Sequence, residues 1–157
     1  MRISVSSDMD EAVARALVSE LRGRGHDVVT HGALRPGDDP QWAVCSEAAA
    51  RDVADGISEQ AVVCCWTGTG ASIAANKVPG VRAALCADAY TADGARRWND
   101  ANVLALSLRV TSEPLLKEIL DAWFGAEAGR DAEDRRNVEH LTTLDTARTA
   151  ARPRPRP

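Results

Sequence analysis

Five short runs of β-type residues, each followed by a helical pattern, constrain the fold of this chain more than any other feature. Arg2 to Ser6 precedes a helical pattern over Glu11 to Arg24, Asp27 to Thr30 precedes Trp42 to Asp55, and Ala61 to Cys65 precedes Ser72 to Lys77. Val81 to Cys86 then leads into Ala92 to Trp98, Asn102 to Leu106 leads into Glu113 to Phe124, and a last helix is predicted around Ala132 to Asp145. Strands separated by helices pair in parallel, and the helices cover both faces of the sheet. The predicted fold is α/β, a doubly wound five-stranded parallel sheet with a C-terminal helix. The 157 residues, 45% of them hydrophobic, suffice for one core. The expected organisation is a single domain over 1–148 and a disordered Arg/Pro tail over 149–157.

Ligands of such sheets bind beyond the carboxyl ends of the strands, near the switch in strand order. That rule gathers Ser7 and Asp8, Cys65 to Gly70, Asp88, and Ser107 to Arg109 around one crevice. The loop from His31 to Pro40 would overhang it as a lid or a subunit contact, against the plainer reading of a solvated loop. Within the crevice, Cys64-Cys65-Trp66-Thr67-Gly68-Thr69-Gly70 places thiols where an apolar strand meets a glycine-rich turn and a helix. A helix N-terminus lowers a cysteine pKa and presents N–H groups to an oxyanion. Strand residues alternate faces, so Cys65 at the lip is the candidate for chemistry and Cys64 the candidate for packing.

Composition excludes several classes. A net charge of −4 argues against a nucleic-acid or anionic-membrane surface and leaves a small molecule as the expected partner. Cysteines at 45, 64, 65 and 86 have no paired metal-ligand spacing, and three histidines cannot complete a site, so neither a metal nor another cofactor is expected. No signal-peptide pattern precedes Ile3 and no apolar run reaches the length of a membrane span, which predicts a cytoplasmic protein with reduced thiols.

Several segments, in order, resemble ribose-5-phosphate isomerase B and the galactose-6-phosphate isomerase subunits. They are Ser7-Asp8, Gly68-Thr69-Gly70 with Ser72-Ile73-Ala74-Ala75-Asn76-Lys77, Val81 to Cys86, Asn99-Asp100-Ala101-Asn102-Val103-Leu104 and Asp121-Ala122-Trp123. The resemblance implies a Rossmann-like domain acting as a homodimer whose sites are shared between subunits. It also implies that Cys65 is the base moving a proton between C1 and C2 of an opened aldose through an enediolate. Thr67 would then tune the thiolate, and backbone N–H groups of the turn with Gly68 and Gly70 would hold the enediolate oxygen. Asp8 and Asn99 would bind substrate hydroxyls, and Arg109 would bind an anion.

The departures from the family pattern are as informative. Met9 stands where a histidine usually follows the aspartate, Trp98 stands where a ring-opening histidine precedes Asn-Asp-Ala-Asn, and Trp66 replaces the usual glycine. Trp42 occupies the lid motif, Asp38-Asp39-Pro40-Gln41-Trp42-Ala43. An indole has a donor N–H but no proton to exchange near neutral pH. Together Met9, Trp42, Trp66 and Trp98 predict a more apolar crevice. The C-terminal phosphate clamp is ambiguous: one alignment puts Glu133, Asp134 and Asn137 at its positions, with Arg135 and Arg136 as substitutes. The expected ligand is a sugar phosphate or related polyol, acted on by an aldose–ketose isomerase whose substrate is not ribose 5-phosphate. An acyclic or short-chain substrate would need no ring-opening histidine. The alternatives are a catalytically altered binding protein or partner subunit, and an enzyme of a specialised pathway with a remodelled aromatic pocket.

Overall fold

The computed structural model describes residues 1–150, in the order β1 (Arg2–Ser7), α1 (Ala12–Gly23), β2 (Asp27–Gly32), α2 (Trp42–Ala54), β3 (Gln60–Cys65), α3 (Thr69–Ala75), β4 (Ala83–Leu85), α4 (Ala89–Asn99), β5 (Val103–Ser107), α5 (Glu113–Gly125) and α6 (Ala132–Ala150). The strands form one parallel sheet in the order β2-β1-β3-β5-β4. The expected α/β architecture is therefore present. Helix α6 runs to Ala150, past the expected end at Asp145, and the rest of the Arg/Pro tail lies outside the described residues.

Alternation along the three central strands feeds two unequal layers. Ile3, Val5, Val62, Cys64, Leu104 and Leu106 pack with Leu17 and Leu21 of α1, Ala92 and Ala95 of α4, and Leu116, Ile119, Leu120 and Trp123 of α5. On the other face Ala61, Val63, Cys65, Val103 and Ala105 meet Ala49 and Ala50 of α2 and Ala71 and Ala75 of α3. The small side chains of this second layer bring α2 and α3 close to the sheet, which seats the start of α3 against Cys65. Trp123 is fully buried, and its indole N–H donates to Gln60 Oε1 at 2.7 Å.

Two local chemistries shift boundaries from their expected places. Asp88 accepts the Thr91 N–H at 2.7 Å, so α4 begins at Ala89 rather than Ala92. Strand β4 is three residues long, shorter than the expected Val81 to Cys86, and two asparagines complete its bonding. Asn76 accepts the Ala83 N–H at 2.9 Å and donates to Ala83 O at 2.8 Å, while Asn102 accepts the Arg82 N–H at 2.8 Å. These asparagines of the two recognised motifs thus hold the edge strand in place. Among the described residues, no helix is long and apolar enough to cross a membrane.

Candidate active site

The chain leaves β1 toward β2 on one side and returns to β3 on the other, so the strand order reverses between β1 and β3. Ser7 pairs with Cys64 there, Cys65 pairs with Ser107, and Asp8 and Trp66 follow at the carboxyl rim. The rim is closed by backbone: Leu108 N–H donates to Cys65 O at 3.1 Å, Arg109 N–H to Trp66 O at 3.0 Å, and Ser107 Oγ to Trp66 O at 2.9 Å. Cys65 and Arg109 are thereby fixed beside each other's segments.

Cys65 lies just beneath this rim, 5% exposed, and its sulfur accepts the Ala71 N–H at 3.4 Å from the first turn of α3. The N–H groups of the turn itself do not reach the sulfur in this way. Instead Gly68 N–H donates to Cys65 O at 3.1 Å, so Gly68 serves the site by its conformation. Its φ of +75° caps α3, which starts at Thr69 rather than Ser72. A Cβ at Gly68 would fall 2.9 Å from the carbonyl carbon of Leu106, which only glycine avoids. The Thr67 hydroxyl does not bond the sulfur either. It pairs with the Thr69 hydroxyl at 2.7 Å, at the mouth of the turn.

Asp8 is half-buried, and burial raises its carboxyl above the ordinary value, partly offset by its own N–H and that of Trp66. One of its oxygens, Oδ1, is buried without a hydrogen-bond partner. The other thiols are held protonated: burial pushes Cys64 well up on the opposite face of the sheet from Cys65, with the neighbouring Cys65, Asp8 and Cys45 adding to it. Burial, then the Asp8 charge, raises Cys45 to about 11, and burial with Asp88 raises Cys86 to about 12.

The aromatic expectations divide. Trp42 and Trp66 are 46% and 48% exposed at the rim, so neither indole is withdrawn into the layers. The Trp42 ring lies on Gly70, where a Cβ would come within 2.9 Å of it. Met9 is exposed on the same rim, its backbone N–H and carbonyl both bonded to Ser7 Oγ. Trp98 is different. Helix α4 starts after β4 and ends just before β5, which puts Trp98 and Asn99 at the amino edge of the sheet. From that end the Trp98 ring runs back over Gly94 to meet Tyr90 of the first turn of α4 edge-on, centroids 5.9 Å apart, and Trp98 shares a pocket of about 270 Å³ with Arg97, Asp134, Arg135 and Glu139. Arg136 is exposed on the same helix α6.

Within one chain, then, Asp8, Met9, Trp42, Cys65, Trp66, Thr67, Gly68, Gly70 and Arg109 gather at one edge, and Trp98, Asn99, Arg135 and Arg136 lie at the other. The expectation of a single aromatic crevice is corrected to this extent: Trp98 does not join it in the same subunit. Sequence reasoning missed Thr69 and the Ala71 N–H. The Thr-Gly-Thr-Gly alternation was the available signal, since it sets two hydroxyls on one side of a turn.

Known proteins share this fold. The ribose/galactose isomerase family model matches residues 3–141. Ribose-5-phosphate isomerase B of Escherichia coli is 39% identical over 136 residues, covering 84% of this chain and 87% of its own length. D-erythrulose-4-phosphate isomerase of Pectobacterium atrosepticum is 35% identical over 128 residues, covering 80% and 84%. The solved structure of ribose-5-phosphate isomerase B from Clostridium thermocellum superposes with a TM-score of 0.86 at 33% identity, covering 94% of this chain and 99% of that one. A parallel sheet carrying a cysteine beneath a Gly-Thr-Gly turn, a match over nearly the whole chain and these relatives agree: the chain belongs to the ribose/galactose isomerase family and is an enzyme, an isomerase.

Proposed function

We propose that the protein interconverts an acyclic, short-chain aldose phosphate and its ketose, with Cys65 as the proton-transferring base. The carrying observation is the indole at position 98 together with the places of the three histidines, none of which stands free at the rim among the described residues. His26 precedes β2 and stacks on Phe124 at 4.8 Å, His31 is bound to Asp52 at 2.7 Å, and His140 lies on α6. A ribose carrying phosphate on O5 still closes through O4 and must be opened by an acid–base group. A four-carbon aldose with phosphate on O4 has no hydroxyl left to close a five- or six-membered ring, so its aldehyde is presented open. The Pectobacterium relative, by its name, acts on a four-carbon ketose phosphate.

In this reading the Cys65 thiolate removes the C2 proton of the aldose, and the C2–H electron pair forms the C1=C2 bond of an enediolate. The same proton, or one from solvent, returns to C1 while the O2 proton passes to O1, which gives the ketose. The Ala71 N–H holds the Cys65 sulfur in place by donating to it, and Asp8, its buried oxygen unpartnered, takes a substrate hydroxyl as its donor. Thr67 and Thr69 present hydroxyls to the enediolate oxygens. Met9, Trp42 and Trp66 enclose a short carbon chain and exclude water from it.

The amino-edge group completes the site from a second copy. Trp98 would cover the substrate, Asn99 would bind a hydroxyl, and Arg135 or Arg136 would join Arg109 on the phosphate. Its separation from the rim within one chain supports a homodimer with shared sites. Activity on D-erythrose 4-phosphate but not on ribose 5-phosphate is the expected result of a substrate panel; efficient turnover of ribose 5-phosphate would overturn the substrate assignment. Inactive C65A and N99A variants should regain activity when mixed, because a hybrid dimer restores one complete site, and failure to do so would sink the shared-site reading.

A further inference from the structure

Helix α4 ends in a turn that glycine would make with less strain. Asp100 adopts φ 44° and ψ 44°, and among the described residues it is the one non-glycine residue with a positive φ. The turn closes where the Ala101 N–H donates to Ala95 O at 3.0 Å, a helix ending whose left-handed position usually falls to glycine because a Cβ crowds the backbone there. The contacts that Asp100 makes offset that strain.

Arg82, just before β4, supplies them. Its Nη2 donates to Asp100 Oδ2 at 2.9 Å and its Nε to the Asp100 carbonyl at 2.7 Å, so one guanidinium clasps both the side chain and the backbone of the strained residue. Arg82 is fixed in turn by its own N–H, which donates to Asn102 Oδ1 at 2.8 Å. Arg96 brings a second donor from within α4 to the Ala101 carbonyl, while its guanidinium lies 5.6 Å over the ring of buried Trp123. Two arginines thus hold consecutive carbonyls at the point where α4 gives way to β5.

The last turn of a helix frays unless something holds it. Asn99 is the last residue of α4, and it lines a groove of about 840 Å³ together with Arg82, while Trp98 and Asp100 line the smaller pocket beside Arg135. We propose that Asp100 is a positioning residue for Asn99: clasped by Arg82, it keeps the end of α4 closed and holds the Asn99 amide in place for the partner's substrate. The catalytic part rests on the reading of Asn99 given above, but the clasp itself is measurable without any substrate.

Asp100→Gly is the first variant, because glycine accommodates the left-handed turn and keeps the fold while the carboxylate is removed. In substrate-free protein the Ala101 amide should exchange with solvent roughly two- to fivefold faster in Asp100→Gly, and also in Arg82→Lys, which replaces a two-point fork with a single nitrogen. With D-erythrose 4-phosphate, Asp100→Gly should lose roughly three- to tenfold in kcat/KM, mostly through KM, as a loosened hydrogen-bonding group would. Mixed with Cys65→Ala it should gain activity, since a hybrid dimer joins an intact rim to an intact amino edge. Mixed with Asn99→Ala it should gain none, since both variants damage the same edge. Unchanged exchange at Ala101 in the two variants, full activity of folded Asp100→Gly, or a gain in the Asn99→Ala mixture would overturn the proposal. If Cys65→Ala and Asn99→Ala fail to complement each other, the shared-site reading falls, while faster exchange at Ala101 still upholds the clasp.

Discussion

Replacing Gly68 with alanine tests how the turn beside Cys65 is held. At φ +75° an alanine costs about 1–2 kcal/mol for the left-handed backbone alone. Its Cβ would also lie 2.5 Å from Leu85 Cδ1, a flexible end, and 2.9 Å from the Leu106 carbonyl carbon, which is backbone of a central strand and cannot give way. The turn must therefore move, and the expected total is about 2–4 kcal/mol. Gly25 supplies the control, with φ +82° and nothing within 4 Å of a built Cβ. Alanine there should cost only the conformational part, about 1–2 kcal/mol. Urea unfolding of both variants measures the difference, and the melting temperature should fall by about 2–4 °C per kcal/mol for a chain of this size. Gly68→Ala should also lose activity, because the moved turn carries the Ala71 N–H off the Cys65 sulfur. Equal destabilisation by the two substitutions would refute the steric argument, and full activity in Gly68→Ala would refute the role given to the turn.

Further outcomes follow from the same geometry. With burial holding Cys45 near 11, Cys86 near 12 and Cys64 well up, alkylation of the native protein at about pH 8 should mark Cys65 and spare the other three, as peptide mass mapping would show. Asp8→Asn should stabilise the fold at neutral pH. Burial raises the folded carboxyl above its unfolded value, so its ionisation opposes folding above that raised pKa, and the gain should vanish as the pH falls below the ordinary carboxylate range near about 3.9. Stability curves of the two proteins against pH check the sign, and a gain that grows in acid would contradict it. Trp123→Phe should cost about 2–3 kcal/mol, read by urea unfolding, since it removes the donor to Gln60 and part of a fully buried ring.

The fold was legible because its signals are local and repeated: runs such as Ala61 to Cys65 followed by helical spacing leave few topologies. Boundaries moved where single side chains intervene, as with the Asp88 cap and the Asn76 clamp on β4, which no periodicity reveals. Cys65 could be chosen over Cys64 from strand parity alone, and the two sulfurs do lie on opposite faces. Which N–H reaches the sulfur was not legible, because it depends on α3 starting three residues earlier than its polar sequence suggests. The place of Trp98 was legible only as a motif position; the direction of α4 across the sheet decides which edge it reaches. The clasp of Arg82 on Asp100 escaped notice because α4 separates its two members in the sequence.

Isomerisation of D-erythrose 4-phosphate in deuterated water, followed by NMR, tests the central claim most directly. If Cys65 shuttles the proton through an enediolate, deuterium enters C1 of the ketose as it forms, and the same incorporation is lost in Cys65→Ala while that variant stays folded. Incorporation that persists in Cys65→Ala would remove Cys65 as the base.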